Sequence, residues 1–339
     1  MTTTVSNYNG ALQQPLNSGF NAGTTTSDVI KGISMQGKTA IVTGGYAGIG
    51  LETVKAFVSA GAKVIVPARD VAKAEKNLEG TDAEIWPMDL MDPDAIDAFA
   101  WRFLATGSPL HLLINNAGIM WVPLRRDARG YESQLSTNHL GHFQLTARLW
   151  PALKQANGAR VVNVSSFGHQ VAPFNFDDPN FEQREYDTLL GYGQSKTANI
   201  LFAVETSARG AAFGIQAYSL HPGAVGDTDL NRDGHQLLQD MGMLDADGNV
   251  TPQMAASLKT LQQGAATTVW CAVSPMLNNI SGVYCEDCDI ALLDNGDIVH
   301  VYNDPFTLKG VKPYAVDGND AVHLWEKSEI MTGIVFAAN

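Results

Sequence analysis

A phenol and an ammonium held one helical turn apart can move a proton at a carbon–oxygen bond, and the chain carries such a pair as Tyr192 and Lys196 in Tyr-Gly-Gln-Ser-Lys. The surrounding stretch reads as helix, so the two side chains share a face. A phenol of pKa near ~10 is protonated at neutral pH, and a neighbouring ammonium favours the phenolate, so Tyr192 is expected to be drawn down toward the working range. Alone, this spacing arises often by chance. Here it is accompanied by Asn138 in Asn-His-Leu-Gly-His-Phe, by Ser165-Ser166 at the end of an apolar run, and by Asn115-Asn116-Ala117-Gly118.

A second set of residues suits a dinucleotide. Thr43-Gly44-Gly45-Tyr46-Ala47-Gly48-Ile49-Gly50 follows one apolar run and opens a helical one. Its glycines allow a tight turn and a close approach to a pyrophosphate, whose charge is favoured at a helix N-terminus. Gly44, Tyr46, Gly48, Ile49 and Gly50 are therefore candidate cofactor residues, the alternative being a plain tight turn. At the end of the next run, a carboxylate would accept from the adenosine ribose and repel a 2′-phosphate; the chain has Ala68 and then Arg69. A guanidinium there suits the phosphate, and NADP is expected ahead of NAD, with NAD retained as the second choice. Arg69 has two other uses, stacking on adenine or pairing with Asp70. Asp89 and Leu90 lie where a carboxylate can accept from the adenine amino group, although Asp89 also suits a helix cap, a role for which Asp92 before Pro93 is better placed. Asn116, Ala117 and Gly118 offer small residues beside a ribose, or a structural turn. Pro222, Gly223 and Val225 complete the cofactor set.

These residues need elements to position them. Apolar runs at Thr39–Thr43, Lys63–Pro67, Ala83–Met88, Leu110–Asn115, Arg160–Ser165 and Ile215–His221 alternate with amphipathic stretches at Gly50–Ala60, Pro93–Ala105, Tyr131–Ala156 and Tyr186–Arg209. Strand and helix repeated in this way imply an α/β fold, a doubly wound parallel sheet covered on both faces. Residues 1–35 read as an N-terminal arm, loosely ordered or draped over a neighbour. Residues 36–290 read as one doubly wound α/β domain with a substrate loop at 167–187 and a loop or lid at 224–250. Within it, 251–273 reads as one helix and Gly282–Tyr284 as a last short strand, and 291–339 as an extension packing on the core.

The chain has 339 residues, with 22 basic against 35 acidic side chains and a net charge of −13. An acidic balance argues against nucleic acid and anionic membrane surfaces as partners. No apolar run approaches the ~18 residues of a membrane span, and the first residues lack the pattern of a secretory signal. Cys271, Cys285 and Cys288 are too few for a disulfide framework, which points to a reducing compartment, the cytoplasm. Cys285-x-x-Cys288 has no second ligand pair at zinc spacing, and His139 and His142 have no evident third ligand, so no metal is expected and both histidines are read as packing or surface residues.

Together the glycine-rich turn, Asn-Asn-Ala-Gly, Asn138, Ser165-Ser166, Tyr-x-x-x-Lys and His221-Pro222-Gly223 resemble, in order, the motifs of the short-chain dehydrogenase/reductase superfamily. The resemblance runs from about Lys38 to Tyr284. Ala68-Arg69-Asp70, Tyr-Gly-Gln-Ser-Lys, Tyr284-Cys285-Glu286-Asp287-Cys288 and Gly310-Val311-Lys312-Pro313-Tyr314 look like its retinol-dehydrogenase and WW-domain-oxidoreductase branch.

This resemblance implies an NADP- or NAD-dependent interconversion of a secondary alcohol and a ketone. Tyr192 would be the general acid/base, Lys196 would hold the nicotinamide ribose, Ser166 would bond the substrate oxygen, and Asn138 would anchor a relay water. The cofactor carries the hydride. Reduction of a conjugated C=C bond is the enzymatic alternative, and a non-catalytic NADP sensor the alternative from another class. The interval from Ser166 to Tyr192 is long, and Asp227 stands where the family has threonine, with Thr228 one place late.

Met120, Trp121, Phe167, His169, Phe174 and Leu189 are candidate substrate contacts, with packing as the other reading for Met120, Trp121 and His169. Phe176 and Tyr186 add to an expected aromatic lining, so bulky hydrophobic alcohols or ketones are the expected substrates. Resemblance also implies a homodimer or homotetramer built on the two long helices.

Overall fold

The computed structural model describes residues 6–226, 228, 230, 234–300 and 307–336. The sheet begins with β1 (Thr39–Val42), β2 (Lys63–Ala68), β3 (Glu84–Pro87) and β4 (Leu112–Asn115), and continues with β5 (Arg160–Val164), β6 (Gln216–Leu220), β7 (Tyr284–Glu286) and β8 (Asp289–Ile290). Their order is β3-β2-β1-β4-β5-β6-β7-β8, parallel throughout except for the β7–β8 pair. This is a doubly wound, Rossmann-like α/β sheet.

Alternation along each strand divides the core between two faces. Ala40, Val42, Val64, Val66, Leu112, Ile114, Val162 and Val164 enter one cluster, whereas Ile41, Ile65, Leu113 and Val161 enter the other. The first face is covered by α1 (Thr26–Ile30), α2 (Gly48–Ser59) and α10 (Leu261–Val273), the second by α4 (Pro93–Leu104) and α6 (Gly141–Gln155). Asp92 caps α4 by accepting from Asp94 N and Ala95 N ahead of Pro93, as its position before proline suggests. The short helix α3 (Val71–Asn77) is capped by Asp70.

The expected helix at 131–156 is interrupted. It comprises α5 (Ser133–Leu135), a π-turn at Ser136–Leu140 and then α6, so Asn138 sits in the irregular turn. The helix expected over 251–273 is instead two, α9 (Pro252–Ser257) and α10. Between them Lys259 pairs as an isolated bridge with Val225, and Thr260 with Gln263 forms a capping box that starts α10 afresh. The loop expected at 224–250 contains α8 (His235–Asp240) and a Leu244–Val250 bridge.

The arm is tied to the chain's own sheet. Gln13 Nε2 donates to Tyr284 O (2.6 Å) and Ala291 O (2.7 Å), and its Oε1 accepts from Tyr284 N (3.1 Å), so one side chain pairs with β7 as a strand would. At the other end, α11 (Gly318–Thr332) packs along α7 (Thr188–Gly210). Every residue of α7 from Gly191 to Ser207 is buried. Trp325 and Phe336 close on Phe143 and Trp150 of α6 at centroid separations of 5.0–5.3 Å. The helical faces behind the expectation of a homodimer or homotetramer are thus covered from within the chain.

Candidate active site

β1 leads to one side of the sheet through β2 and to the other through β4, and the crevice between the carboxyl ends of β1 and β4 is where such sheets bind ligands. Gly44 (φ 65°) and Gly48 (φ 52°) turn the chain there into α2. A methyl at Gly50 would lie 2.4 Å from Gly44 O and 2.6 Å from Asn116 Nδ2, so only glycine fits. Ala47, the N-cap of α2, offers no capping side chain, leaving the first-turn N–H groups for a ligand anion.

Thr43 ties the turn to β4. Its Oγ accepts from Asn116 N (2.9 Å) and Ala117 N (3.0 Å), while Asn116 Nδ2 donates to Thr43 O (2.9 Å). Asn116 Oδ1 is buried without a partner, an acceptor left over beside the glycine turn. Ile49 and Val225 meet over Gly264 of α10, and the Thr228 methyl lies 3.4 Å from a Cβ built on Gly48. Thr228 thus closes over the turn, although one place late. Asp227 lies outside the described residues. Gly223 (φ 88°), after Pro222, is crossed by the Lys259 stem.

Arg69 is exposed at the end of β2. Among the described residues it has no carboxylate partner, and Asp70 spends Oδ1 on Lys73 N. Tyr46 fixes its loop by accepting from Asn77 Nδ2 at its carbonyl (2.9 Å). Asp89 accepts from Met91 N (2.9 Å), and Leu90 packs against Gly141. These residues and the glycine turn fit a dinucleotide: tight glycines, free helix N–H groups and an orphan acceptor occupy one crevice.

The catalytic candidates converge from β5 and α7. Of the two serines, Ser165 is buried and donates to Lys196 O (2.7 Å), stitching strand to helix. Ser166 instead faces the site, accepts from Gly168 N (3.0 Å) and shares the surroundings of Gly168 with the Tyr192 ring. Lys196 Nζ lies 5.5 Å from the Tyr192 ring centroid and donates to Val164 O (3.1 Å).

Electrostatics depart from expectation here. Burial pushes the Tyr192 phenol up to about 12, opposed only by the nearby Ser166 hydroxyl, and holds Lys196 down at about 8. With the ammonium 5.5 Å from the ring centroid, desolvation decides the direction of the shift.

Asn138 acts as a brace. Its Oδ1 accepts from Ile119 N (2.9 Å), and Nδ2 donates to Ile119 O (3.0 Å) and Ser195 Oγ (2.9 Å), joining the segment after Gly118 to α7. Both amide protons are spent within the chain. The side chain therefore has no donor for the relay water assigned to it, and only acceptor capacity remains.

The substrate candidates separate. Trp121 stands edge-on to Tyr192 at 6.4 Å and holds a left-handed backbone (φ 56°) with its N–H on Gln134 Oε1 (2.9 Å). Met120, beside it, is buried, and Leu189 lies one turn before Tyr192 on α7. Phe167 packs on His221 and His300.

Phe174 and His169 are placed elsewhere. Phe174 is buried on Phe176 in the cluster beneath α11, and Phe176 stacks on His323 of α11 at 4.1 Å. His169 is fully buried, with Nδ1 on Ser166 O (2.7 Å) and Nε2 accepting from Lys312 N (3.3 Å). Tyr186 donates from its hydroxyl to Val122 O (3.1 Å) and packs on Phe181. Much of the expected aromatic lining is thus structural: it fastens 174–186 and the C-terminal strap to the core.

Two site residues escaped the sequence reading. Gly168 lies against the Tyr192 ring, and a Cβ there would stand 2.7 Å from Cε1. Gln134 holds both Trp121 N and Thr188 O. The one available sign was a glycine two places after Ser166.

Comparison with known proteins gives the family. The family model described as short chain dehydrogenase matches residues 38–237. A "Probable oxidoreductase" from Streptomyces lividans is 40% identical, covering 87% of this chain and 97% of its own. Retinol dehydrogenase 12 from Mus musculus is 36% identical, over 79% of this chain and 82% of its own. The crystal structure of an uncharacterized protein from Mycobacterium paratuberculosis superposes with a TM-score of 0.69 at 30% identity, over 93% of this chain and 99% of that one.

Proposed function

Since the chain belongs to the short-chain dehydrogenase family, on the branch that holds the retinol dehydrogenases, we propose that this oxidoreductase interconverts a secondary alcohol and a ketone on a bulky hydrophobic substrate, with NADP preferred to NAD. The observation that carries the reading is the meeting of Ser166 and Tyr192, with Lys196 one turn along α7 beside the tyrosine ring.

Gly44, Gly48, Gly50, Asn116 and the N-terminus of α2 would hold the nucleotide, and Arg69 its 2′-phosphate. When bound, the nicotinamide supplies or accepts the hydride. The chain's own groups handle the proton and the oxygen. Ser166, whose Oγ already accepts from Gly168 N, has its proton to donate to the substrate oxygen. Tyr192, neutral at physiological pH, gives its proton to that oxygen during ketone reduction. Lys196 sits beside the ring, charged below about pH 8. Met120, Trp121 and Leu189 supply apolar contact near the hydroxyl. A cytoplasmic location is part of the reading, supported by three buried free thiols.

Tyr192→Phe tests this assignment. It should retain NADP binding while removing turnover on a panel of aryl, alicyclic and steroid ketones with NADPH, with the products analysed to separate carbonyl from C=C reduction. Undiminished turnover would overturn the mechanism.

A further inference from the structure

His142 opens α6 and is fully buried, and neither ring nitrogen is idle. Nδ1 lies 3.0 Å from Asn138 O, and Nε2 lies 2.9 Å from Thr43 Oγ. The tautomer follows from donor arithmetic. A carbonyl only accepts, so Nδ1 must carry the proton toward Asn138. Nε2 is then bare and must accept. Thr43 Oγ already accepts from Asn116 N and Ala117 N, so its own proton is available to give, and His142 at 2.9 Å is nearer than Ile114 O at 3.3 Å. Burial, with Lys196 close enough to repel a second charge, holds the imidazole down at about 4, in keeping with a neutral ring.

We propose that His142 is a positioning residue for the reaction: a fixed tautomer that links the Thr43 hydroxyl, on the cofactor side, to the Asn138 carbonyl in the π-turn, on the catalytic side. The inference rests on the function proposed above. His142 grips this carbonyl within the irregular turn, while the Asn138 side chain joins Ile119 to Ser195 of α7, the helix that bears Tyr192 and Lys196. Loss of the Nδ1 bond frees the π-turn to relax and carries the brace with it. Loss of the Nε2 bond lets the Thr43 proton turn to Ile114 O, a smaller change.

The two bonds can be removed separately, because an asparagine amide reaches the place of Nδ1 and a glutamine amide that of Nε2. His142→Leu should lower kcat about tenfold, the scale of one buried hydrogen bond, with the KM for NADPH changed less than about threefold. His142→Asn should restore kcat to within about threefold, and His142→Gln should not. Folded fraction is read from thermal melts. Unchanged kcat in the leucine variant, equal rescue by asparagine and glutamine, or losses that merely follow folded fraction would each overturn the proposal.

A second readout needs no turnover and so separates this inference from the proposed activity. The ¹⁵N shifts of His142 in the ¹⁵N-histidine-labelled wild-type protein, assigned by difference with His142→Asn, should show a neutral Nδ1–H ring from pH 5 to 9. An Nε2–H ring, or titration in that window, would overturn the proposal even if the enzyme is active. Wild-type protein inert on the substrate panel would refute the activity and leave the tautomer to decide this one.

Discussion

Gly168→Ala should disable the enzyme without unfolding it. The glycine sits in the 3-10 turn Phe167–Val171 with no left-handed backbone requirement, so the substitution adds one methyl and little backbone strain. That methyl would stand 2.7 Å from Tyr192 Cε1 and 2.9 Å from Cδ1, whereas ordinary contact begins near 3.4 Å. The phenol ring must therefore retreat by about 0.7 Å. It has little room, because Trp121 stands edge-on to it and Lys196 lies beside it. Misplacing a reacting group by about 1 Å costs on the order of 100-fold in rate, and overpacking of this size costs about 1–3 kcal/mol of stability. Alanine should thus lower kcat for ketone reduction by about 10- to 100-fold and shift the melting temperature by a few degrees, with NADP affinity, read by fluorescence titration, within about twofold of wild type. The methyl is remote from the glycine turn, so a loss in cofactor affinity as large as the loss in kcat would contradict the reasoning. So would a folded variant of full activity.

Two further expectations follow from the charges. Arg69→Ala should weaken NADP by about 1.5–3 kcal/mol, the scale of a charged hydrogen bond, and NAD much less; calorimetric titration with both cofactors checks it, and equal losses would remove Arg69 as the reader of the phosphate. With Tyr192 near 12 and Lys196 near 8, ketone reduction should be flat through neutral pH and decline above about 8, while alcohol oxidation, which needs the phenolate, should climb steadily up to pH 10. An oxidation rate already level below pH 8 would show instead that the phenol is drawn down, as its spacing from Lys196 suggests.

Legibility in the sequence follows the physics of each feature. Strands β1, β2, β4 and β5 announce themselves because both their faces are largely buried, so apart from Lys63, Asn115, Arg160 and Asn163 their residues are apolar or small, and the groups at their carboxyl ends meet simply because parallel strands end together. Gly50 and Ser166 stood out for this reason, and Tyr192 and Lys196 through their four-residue spacing on α7. The break at Leu258–Thr260 was not, since it depends on Lys259 finding Val225 across the fold. Phe174, Phe176 and Tyr186 look like pocket residues by composition, yet whether an aromatic ring faces substrate or α11 is decided by what lies across from it. Gln13 looks like any polar arm residue until Tyr284 of β7 offers it two bonds and Ala291 a third. The direction of the Tyr192 shift turned on depth of burial, which spacing along one helix does not contain.

The C-terminal helix acts as a tethered surrogate subunit. An assembly held together across α6 and α7 would lose part of its stability on dilution, because covering those faces would depend on protomer concentration. Here α11 covers α7, and Trp325 and Phe336 seal α6, on the same chain. Docking is an intramolecular event whose effective concentration is fixed by the linker rather than by abundance. The helix bearing Tyr192 and Lys196 thus keeps its dry backing at any expression level. By the same logic, a chain cut before Gly318 would bare a continuous apolar face along the catalytic helix and become prone to self-association.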